Sequence, residues 1–365
     1  MVNVTEDIFA TAAVNPFTKQ TESIRRFTLR NEEQMSVQIL TLGATISSIK
    51  VPDANNFVAD VTLGFDNLAG YQSAQNPYMG ATVGRVCNRI ANGRFVLDGR
   101  TIEVSRNRGE FQLHGGFLGF DKAHWEVEKV LPNGVSMKHT NPDGHEGYPG
   151  EVTATVTFTL TEDNCLHVAM DAVTTQPTPI NLTNHSYFNL CGHNKGKAAL
   201  DEHVVEINAY GITETDSNSI PTGKILPVDG GKFDLRVPSK LGDRLKQLEP
   251  AIGFDDNFCV KFTPPAAIAT IARVVHPPSG RWLEIASNQP GVQFYTSNFL
   301  PNQAGGDAPL AGKDGAAYAK HGGFCLETQK FPDSVNHENF PSTILRPGEK
   351  YHHEVIYKFG KLKYP

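Results

Sequence analysis

The sequence predicts an all-β fold, a large antiparallel β-sandwich with very few short helices. Three observations lead to this prediction: apolar and polar residues alternate along many short segments, 33 Gly and 23 Pro separate these segments, and few windows have helical periodicity. Strands that follow one another without intervening helices favour antiparallel sheets over βαβ units. We find no low-complexity linker and no internal repeat, and we expect residues 1–365 to form one domain.

The clearest strand is Val152–Leu160, in which five apolar residues alternate with four threonines. Residues 166–172 repeat this alternation, and the sequence Glu-Asp-Asn at 162–164 predicts a hairpin turn between the two strands. Further short strands are predicted at residues 36–39, 45–51, 204–207, 269–275, 282–286 and 353–359.

Only two windows predict helices, residues 67–73 and Leu241–Leu248, the second because leucines occupy positions 241, 245 and 248. Residues 301–315 are rich in Gly, Ala and Asp, and we expect them to form a mobile surface loop.

Composition and charge exclude several classes of function. Hydrophobic residues make up 39% and charged residues 20% of the chain, and the net charge of −6 favours neither nucleic acid nor an anionic membrane as a partner. No uncharged apolar run approaches the roughly 18 residues of a membrane span, and the N-terminus lacks the pattern of a signal peptide. Five cysteines without a CxxC pair predict free thiols in a reducing compartment, hence a cytoplasmic protein. No exposed apolar stripe is evident, and we expect a monomer.

Six segments combine polar functional side chains with Gly or an aromatic residue. They are GRVCNRIANG at 84–93, LHGGF at 113–117, NLTNHSYFN at 181–189, GFDDNF at 253–258, QPGVQFY at 289–295 and GFCLETQ at 323–329. On a β scaffold this pattern places hydrogen-bonding groups at strand ends beside aromatic faces, which suits a carbohydrate.

Taken singly, these residues leave structural roles open. His114 fits a turn histidine, and Asp255 with Asp256 fits the cap of a turn. Glu327 follows the apolar sequence Phe-Cys-Leu, so its carboxylate faces a cleft or the core, where an ion pair with Arg89 or Arg85 is an alternative to catalysis. His352 and His353 are adjacent on a predicted strand, and we expect both at the surface rather than on a metal.

In their order along the chain, the six segments resemble those of the aldose 1-epimerases, the galactose mutarotases, and the resemblance extends from about Phe27 to Phe359. It implies a β-sandwich of the galactose mutarotase type with an open cleft, no metal and no organic cofactor. By position, Glu327 would be the general base and His185 the general acid. Further residues would contact the sugar or line its cleft: Asn88, Arg89, His114, Asp255, Gln293 and Tyr187. The sequence departs from the family at Cys87, where a small residue such as Ala is usual, and in residues 301–315, which are longer than typical.

The resemblance implies an isomerase that interconverts the α and β anomers of free hexoses such as galactose and glucose. Ring opening needs a base for the proton of the C1 hydroxyl and an acid for the ring oxygen, and a carboxylate and an imidazolium suit these tasks. We therefore expect His185 to be protonated near neutral pH, with its pKa held up by a nearby carboxylate, Asp255.

Three other functions make different demands on the residues. A glycoside hydrolase needs two carboxylates about the bond that it cleaves. A sugar-binding protein without catalysis has no need for both Glu327 and His185. A hexose-6-phosphate epimerase needs a cluster of Arg or Lys at the cleft, and the six segments show none. The preferred hexose is not readable from the sequence.

Overall fold

The computed structural model describes residues 1–260 and 267–362 and consists mainly of antiparallel β-sheets. The first sheet has five strands in the order of the chain: β1 (Asn3–Val14), β2 (Thr21–Arg30), β3 (Ser36–Leu40), β4 (Thr45–Pro52) and β5 (Val58–Asp60). Five short pairs follow at the edges and connections: β6 (Thr82–Val83) with β16 (Thr183–Asn184), β7 (Arg89–Ile90) with β10 (Gln112–Leu113), β8 (Arg94–Leu97) with β9 (Arg100–Glu103), β15 (Thr178–Pro179) with β28 (Ile344–Leu345), and β25 (Leu310–Ala311) with β26 (Ala317–Tyr318).

Two larger sheets complete the fold. The nine-stranded sheet has the order β11 (Glu126–Leu131), β12 (Gly134–Asn141), β13 (Val152–Leu160), β14 (Cys165–Thr174), β29 (Tyr351–Lys361), β23 (Arg281–Ser287), β22 (Ala269–His276), β17 (Val204–Ile207) and β20 (Ser239–Lys240). The third sheet, called here the site sheet, has the order β19 (Pro221–Pro227), β18 (Ala209–Thr215), β21 (Asp255–Val260), β24 (Gly291–Tyr295) and β27 (Cys325–Gln329). The inner faces of the three sheets meet in one apolar core.

The predicted strands are present, and the all-β prediction is confirmed. β13 and β14 form the expected hairpin, in which Leu160 pairs with Leu166, and along β13 the apolar side chains are buried while the threonines are half-buried. The other six predicted strands lie within β3, β4, β17, β22, β23 and β29.

The described residues contain three short α-helices, α1 (Leu68–Gln72), α2 (Gly196–Leu200) and α3 (Leu241–Leu248). The predictions for α1 and α3 are confirmed. The Asn67 side chain caps α1 by accepting a hydrogen bond from the Gly70 amide, at 3.0 Å, and α3 buries its three leucines. The sequence analysis missed α2, a single turn that buries only Leu200. No helix of the described ranges is long and apolar enough to cross a membrane.

The site sheet has two different faces. Side chains alternate along a strand, so Phe258, Phe294 and Leu326 point into the core. The intervening residues of the same strands include Asp255, Gln293 and Glu327. The alternation therefore gives this sheet an apolar inner face and a polar outer face.

Two expectations about the surface are wrong in part. The C-terminal half of residues 301–315 is anchored and does not form the expected mobile loop. Leu310 is buried in the β25–β26 hairpin, and the Lys313 ammonium is buried against the Asp60 carboxylate at 2.7 Å. Of the two adjacent histidines, His352 is exposed, but His353 is buried and contacts the Thr328 hydroxyl at 2.7 Å. The reason is that β29 lies inside the nine-stranded sheet, where alternate residues face the core.

Lys313→Met should destabilise the protein by about 3–5 kcal/mol, because it leaves the buried Asp60 carboxylate without its cation. Urea denaturation followed by circular dichroism measures the change. Lys246→Met is the control, since Lys246 forms an exposed ion pair with Asp243, and its loss should alter the unfolding free energy by no more than about 0.5 kcal/mol. Equal losses of unfolding free energy in the two variants would contradict the anchoring role of Lys313.

Candidate active site

An open cleft of about 880 Å³ lies along the polar face of the site sheet. All eight residues that the sequence analysis singled out line it, namely Asn88, Arg89, His114, His185, Tyr187, Asp255, Gln293 and Glu327. These residues come from segments as far apart as 88 and 327 in the chain, so the fold brings together side chains that the sequence keeps separate.

The floor of the cleft is built by three paired strands. Gln293 on β24 lies opposite Glu327 on β27, and Asp255 on β21 lies opposite Tyr295 on β24. The Gln293 amide donates a hydrogen bond to Asp255 Oδ1 at 2.8 Å, and Arg89 Nη2 donates to Asp255 Oδ2 at 3.3 Å. The Asp255 carboxylate is thus held by two donors and joins the floor to the wall. It does not cap a turn.

One wall lies at the end of the antiparallel β7–β10 pair, where Asn88 precedes β7 and His114 follows β10. Asn88 and His114 hold each other, because the His114 amide donates to the Asn88 carbonyl at 3.0 Å and the Asn88 amide donates to His114 Nδ1 at 3.2 Å. The second bond makes Nδ1 of His114 an acceptor and leaves its Nε2 to carry the proton. Gly115 follows with a positive φ of 85°, and any Cβ there would lie 2.0 Å from the Gly84 carbonyl oxygen.

The surroundings of His114 determine its ionisation. Burial, together with the neighbouring His185, lowers the pKa of His114 well below its ordinary value. A neutral His114 therefore presents an uncharged N–H donor.

His185 is fixed beside the edge strand β27. The Thr183 hydroxyl donates to the Thr328 carbonyl at 2.8 Å, and the backbone of His185 bonds to Gly80 and Ala81 at 2.9 Å each. The imidazole is stacked parallel to Tyr187 at 4.9 Å and parallel to Tyr78 at 6.0 Å between ring centroids. Its Nε2 lies 3.6 Å from Glu327 Oε1, and its Nδ1 lies 3.6 Å from Cys325 Sγ.

Burial dominates the ionisation of this pair. It lowers the pKa of His185 to about 4, opposed by the contact of the ring with its own backbone carbonyl. Burial also raises the pKa of Glu327 well above its usual range, helped by the negative charge of Asp255 and opposed by Arg89. The expectation that Asp255 holds up the pKa of His185 is therefore wrong. Asp255 is bound to Arg89 and Gln293, and the carboxylate beside His185 is Glu327.

The alternative of a structural ion pair for Glu327 is also wrong. Arg85 is buried elsewhere and donates to the Asn141 side chain and the Gly150 carbonyl. Arg89 forms its ion pair with Asp255. Within the described ranges, the basic group that lies within 4 Å of the Glu327 carboxylate is His185.

The sequence analysis missed three side chains that shape the site. Tyr295 could have been found, because it follows Gln293 by two residues and so lies on the same face of β24. Cys325 could have been found in the same way from its spacing to Glu327. Tyr78 lies in a connection without a periodic pattern, so the sequence carries no signal for it.

The sequence departs from the family pattern at Cys87. Its buried thiol donates a hydrogen bond to the Gln329 side chain at 3.3 Å, which accommodates the sulfur in the core.

One group of potential metal-binding atoms occurs in the described parts of the chain. Single ligand atoms of His185, Cys325 and Glu327 lie within 4.8 Å of one another. Metals bind the thiolate, but burial and the charge of Glu327 raise the pKa of the Cys325 thiol, so the neutral thiol is favoured. This chemistry disfavours a resident metal.

Comparisons with known proteins agree in one family. The sequence model of the family described as aldose 1-epimerase matches residues 25–358. A galactose mutarotase of Rattus norvegicus is 48% identical over 338 residues, which cover 93% of this chain and 94% of the relative. An aldose 1-epimerase of Escherichia coli K12 is 34% identical and covers 92% of this chain and 95% of its own. The crystal structure of an aldose epimerase homologue from C. elegans matches with a TM-score of 0.82 and 30% identity over 91% of this chain and 98% of its own, which confirms the expected type of fold.

Glu327 should keep its proton to a pH well above 4.5 in the ligand-free protein, because burial and Asp255 both disfavour its charged form. Asp255→Asn should lower this pKa, since it removes the nearby negative charge and frees Arg89. Carbon-13 NMR of the glutamate carboxyl carbons, with the Glu327 signal assigned by its loss in Glu327→Gln, measures both values. Asp256→Asn is the control, because Asp256 alternates with Asp255 along β21 and should leave the Glu327 pKa unchanged. An ordinary pKa in the wild type would contradict the assignment.

Proposed function

The chain belongs to the aldose 1-epimerase family, and from this premise we propose how its cleft opens and closes a sugar ring. The protein is an isomerase that interconverts the α and β anomers of free monosaccharides. We propose D-galactose as a principal substrate and D-glucose as a second one, because several relatives at 45–48% identity are galactose mutarotases. The observation that carries the mechanism is the buried Glu327–His185 pair at the cleft floor.

Anomer exchange requires two proton transfers at the C1–O5 unit of the sugar. In the proposed mechanism the Glu327 carboxylate removes the proton of the C1 hydroxyl while His185 Nε2 protonates the ring oxygen. The C1–O5 bond then breaks and leaves an aldehyde. Rotation about C1–C2 presents the other carbonyl face, and the two transfers reverse on closure. Each positioned proton transfer contributes about 10²–10⁴ in rate.

The ionisation of the empty site is compatible with these roles. Burial disfavours the charged form of both groups, so the empty pair keeps its one exchangeable proton on Glu327. A bound sugar changes this balance, because its C1 hydroxyl donates to the carboxylate and its ring oxygen accepts from the imidazolium. Both hydrogen bonds favour the charged forms. We infer that the proton passes from Glu327 to His185 as the sugar binds.

The remaining cleft residues are proposed to hold the hydroxyl groups of the sugar and to leave C1 free to rotate. Arg89 Nε supports this role, since it is a buried donor to which the described residues offer no acceptor. His114 presents an uncharged Nε2–H, and the Asp255 and Gln293 side chains offer an acceptor and a donor beside Glu327. The hydroxyl groups of a hexose supply matching partners.

Two alternative functions have weaker support. A glycosidase would need Asp255 as a second free carboxylate, but its two oxygens are already bound to Arg89 and Gln293. A phosphorylated sugar would need a cluster of free cations at the cleft, but Arg89 is paired with Asp255 and Lys122 with Asp121 at 3.1 Å, which among the described lining residues leaves Arg108 rather than a cluster. We further propose that the enzyme works without a metal, as a monomer in the cytoplasm and without a nucleic-acid or membrane partner. The net charge of −6 and the five unpaired cysteines support this view.

Glu327→Gln should lower kcat for α-D-galactose by about 10²-fold or more and leave KM near the wild-type value, because the amide keeps the shape of the side chain but cannot accept the proton. Polarimetry of freshly dissolved α-D-galactose, corrected for spontaneous mutarotation, measures both constants. Glu354→Gln is the matched control: Glu354 is a half-buried strand carboxylate that contacts His167 and should be dispensable. Near-normal turnover by Glu327→Gln would remove Glu327 from the proposed role.

Methyl α-D-galactoside should bind the cleft and return unchanged, because it lacks the C1 hydroxyl proton with which the mechanism begins. It should act as a competitive inhibitor of galactose mutarotation. Its affinity should be lower than that of galactose to the extent that its methyl group crowds Glu327. Inhibition by polarimetry and methanol release by gas chromatography are measured in one sample, and acid hydrolysis provides the methanol control. Enzymatic release of methanol would falsify the mechanism in favour of a glycosidase. Binding without accelerated mutarotation would indicate a sugar-binding protein.

A further inference from the structure

The second nitrogen of His185 has an unusual neighbour. Nε2 faces Glu327, whereas Nδ1 faces the sulfur of Cys325 at 3.6 Å, within hydrogen-bonding distance for sulfur. Cys325 is fully buried, and nothing in the proton transfers proposed above involves it. The other polar contact of the ring is with the carbonyl of His185 itself, which already accepts the Gly80 amide at 2.9 Å.

One strand supplies both neighbours of the imidazole. Cys325 and Glu327 are two residues apart on β27, so their side chains project from the same face, roughly 6.6–6.8 Å apart along the strand. The His185 ring lies against both side chains and meets sulfur at one nitrogen and a carboxylate oxygen at the other. Stacking on Tyr187 holds the plane of the ring, and a 180° flip within that plane would place Cδ2 and Cε1 where Nδ1 and Nε2 lie and so lose both contacts.

The tautomer of neutral His185 decides whether it can return a proton. A neutral imidazole carries one N–H, and either nitrogen can hold it. If Nε2 holds it, Nε2 has no free lone pair and cannot take the proton back from the hydroxyl of the open sugar when the ring closes. If Nδ1 holds it, Nε2 offers its lone pair and can both give and take the proton. Reversible catalysis therefore needs an acceptor at Nδ1.

We propose that Cys325 is a positioning residue whose sulfur accepts a hydrogen bond from Nδ1–H of His185 and thereby reserves Nε2 for proton exchange with the sugar ring oxygen. This inference rests on the proposed function of His185. An uncharged thiol suits the task, since a carboxylate at Nδ1 would raise the pKa of His185 and favour its charged form, whereas a neutral acceptor orients the ring without adding that bias.

Cys325→Ala tests the proposal by removing the acceptor. The kcat for α-D-galactose should fall about 10-fold while KM stays within about twofold, because sugar contacts persist and only proton transfer is impaired. Two-bond hydrogen–nitrogen NMR of histidine-labelled, ligand-free protein should show Nδ1–H His185 in the wild type and a mixture of tautomers in Cys325→Ala. The His185 signals are assigned by their loss in His185→Asn.

Two further variants separate positioning from packing. Cys325→Ser keeps an acceptor and should recover the Nδ1–H tautomer and kcat to within about threefold of the wild type. Cys259→Ala removes another fully buried strand cysteine, which packs against Phe331 and Phe340, and should change neither readout. Thermal melts compare the stability of the variants.

The proposal is overturned if the wild type carries the proton on Nε2, or if Cys325→Ala keeps both the Nδ1–H signal and wild-type kcat. The wild-type spectrum and Cys325→Ser decide the matter even if Cys325→Ala does not fold. Failure of this inference is distinguishable from failure of the proposed function, since the NMR readout needs no turnover and Glu327→Gln tests the function separately.

Discussion

The pairing register of β21, β24 and β27 is the constraint on which the cleft depends. With the observed register, Phe258, Phe294 and Leu326 enter the core, and the residues between them face the cleft. A slip of one residue in any of these strands would exchange the two faces, burying carboxylates among phenylalanines and exposing the apolar residues. The cost of such a slip is the burial of unpaired charge, so the packing of the core and the assembly of the site select the same register.

This register also explains the electrostatics of the site. The floor is backed by the core, so Glu327 and His185 are deprived of water and each favours its uncharged form. The Asp255 carboxylate has different partners, because Arg89 and Gln293 bind its two oxygens. Two acidic residues on strands that flank β24 therefore differ in their partners: Asp255 is a fixed acceptor, and Glu327 is free to exchange a proton.

Much of this arrangement could be predicted from the sequence, and the failures have physical causes. Alternation along Val152–Leu160 predicted the hairpin, and six motifs in order indicated the residues that line the cleft. The pKa of His185 was predicted in the wrong direction, because a sequence shows that Asp255 and Arg89 exist but not that they bind each other. The anchoring of residues 301–315 by Lys313 and the burial of His353 depend on long-range packing of the same kind, which no local composition reports.

In the Glu327–His185 pair, burial favours the protonated carboxyl and the neutral imidazole, the reverse of their usual states. This reversal suits a reaction in which the same two groups exchange a proton in both directions. With ordinary pKa values, a proton would lie firmly on His185 rather than Glu327, and each pKa unit of separation would add about 1.4 kcal/mol to one direction of its transfer. Burial raises the pKa of the carboxyl and lowers that of the imidazole, so the empty pair holds the proton on Glu327, and the hydrogen bonds of a bridging sugar favour its transfer to His185. Anomers are chemically alike, and neither closure should be favoured by the enzyme. A buried pair that exchanges one proton through the sugar, with the uncharged Cys325 and Tyr187 beside the imidazole, meets that requirement without a cofactor.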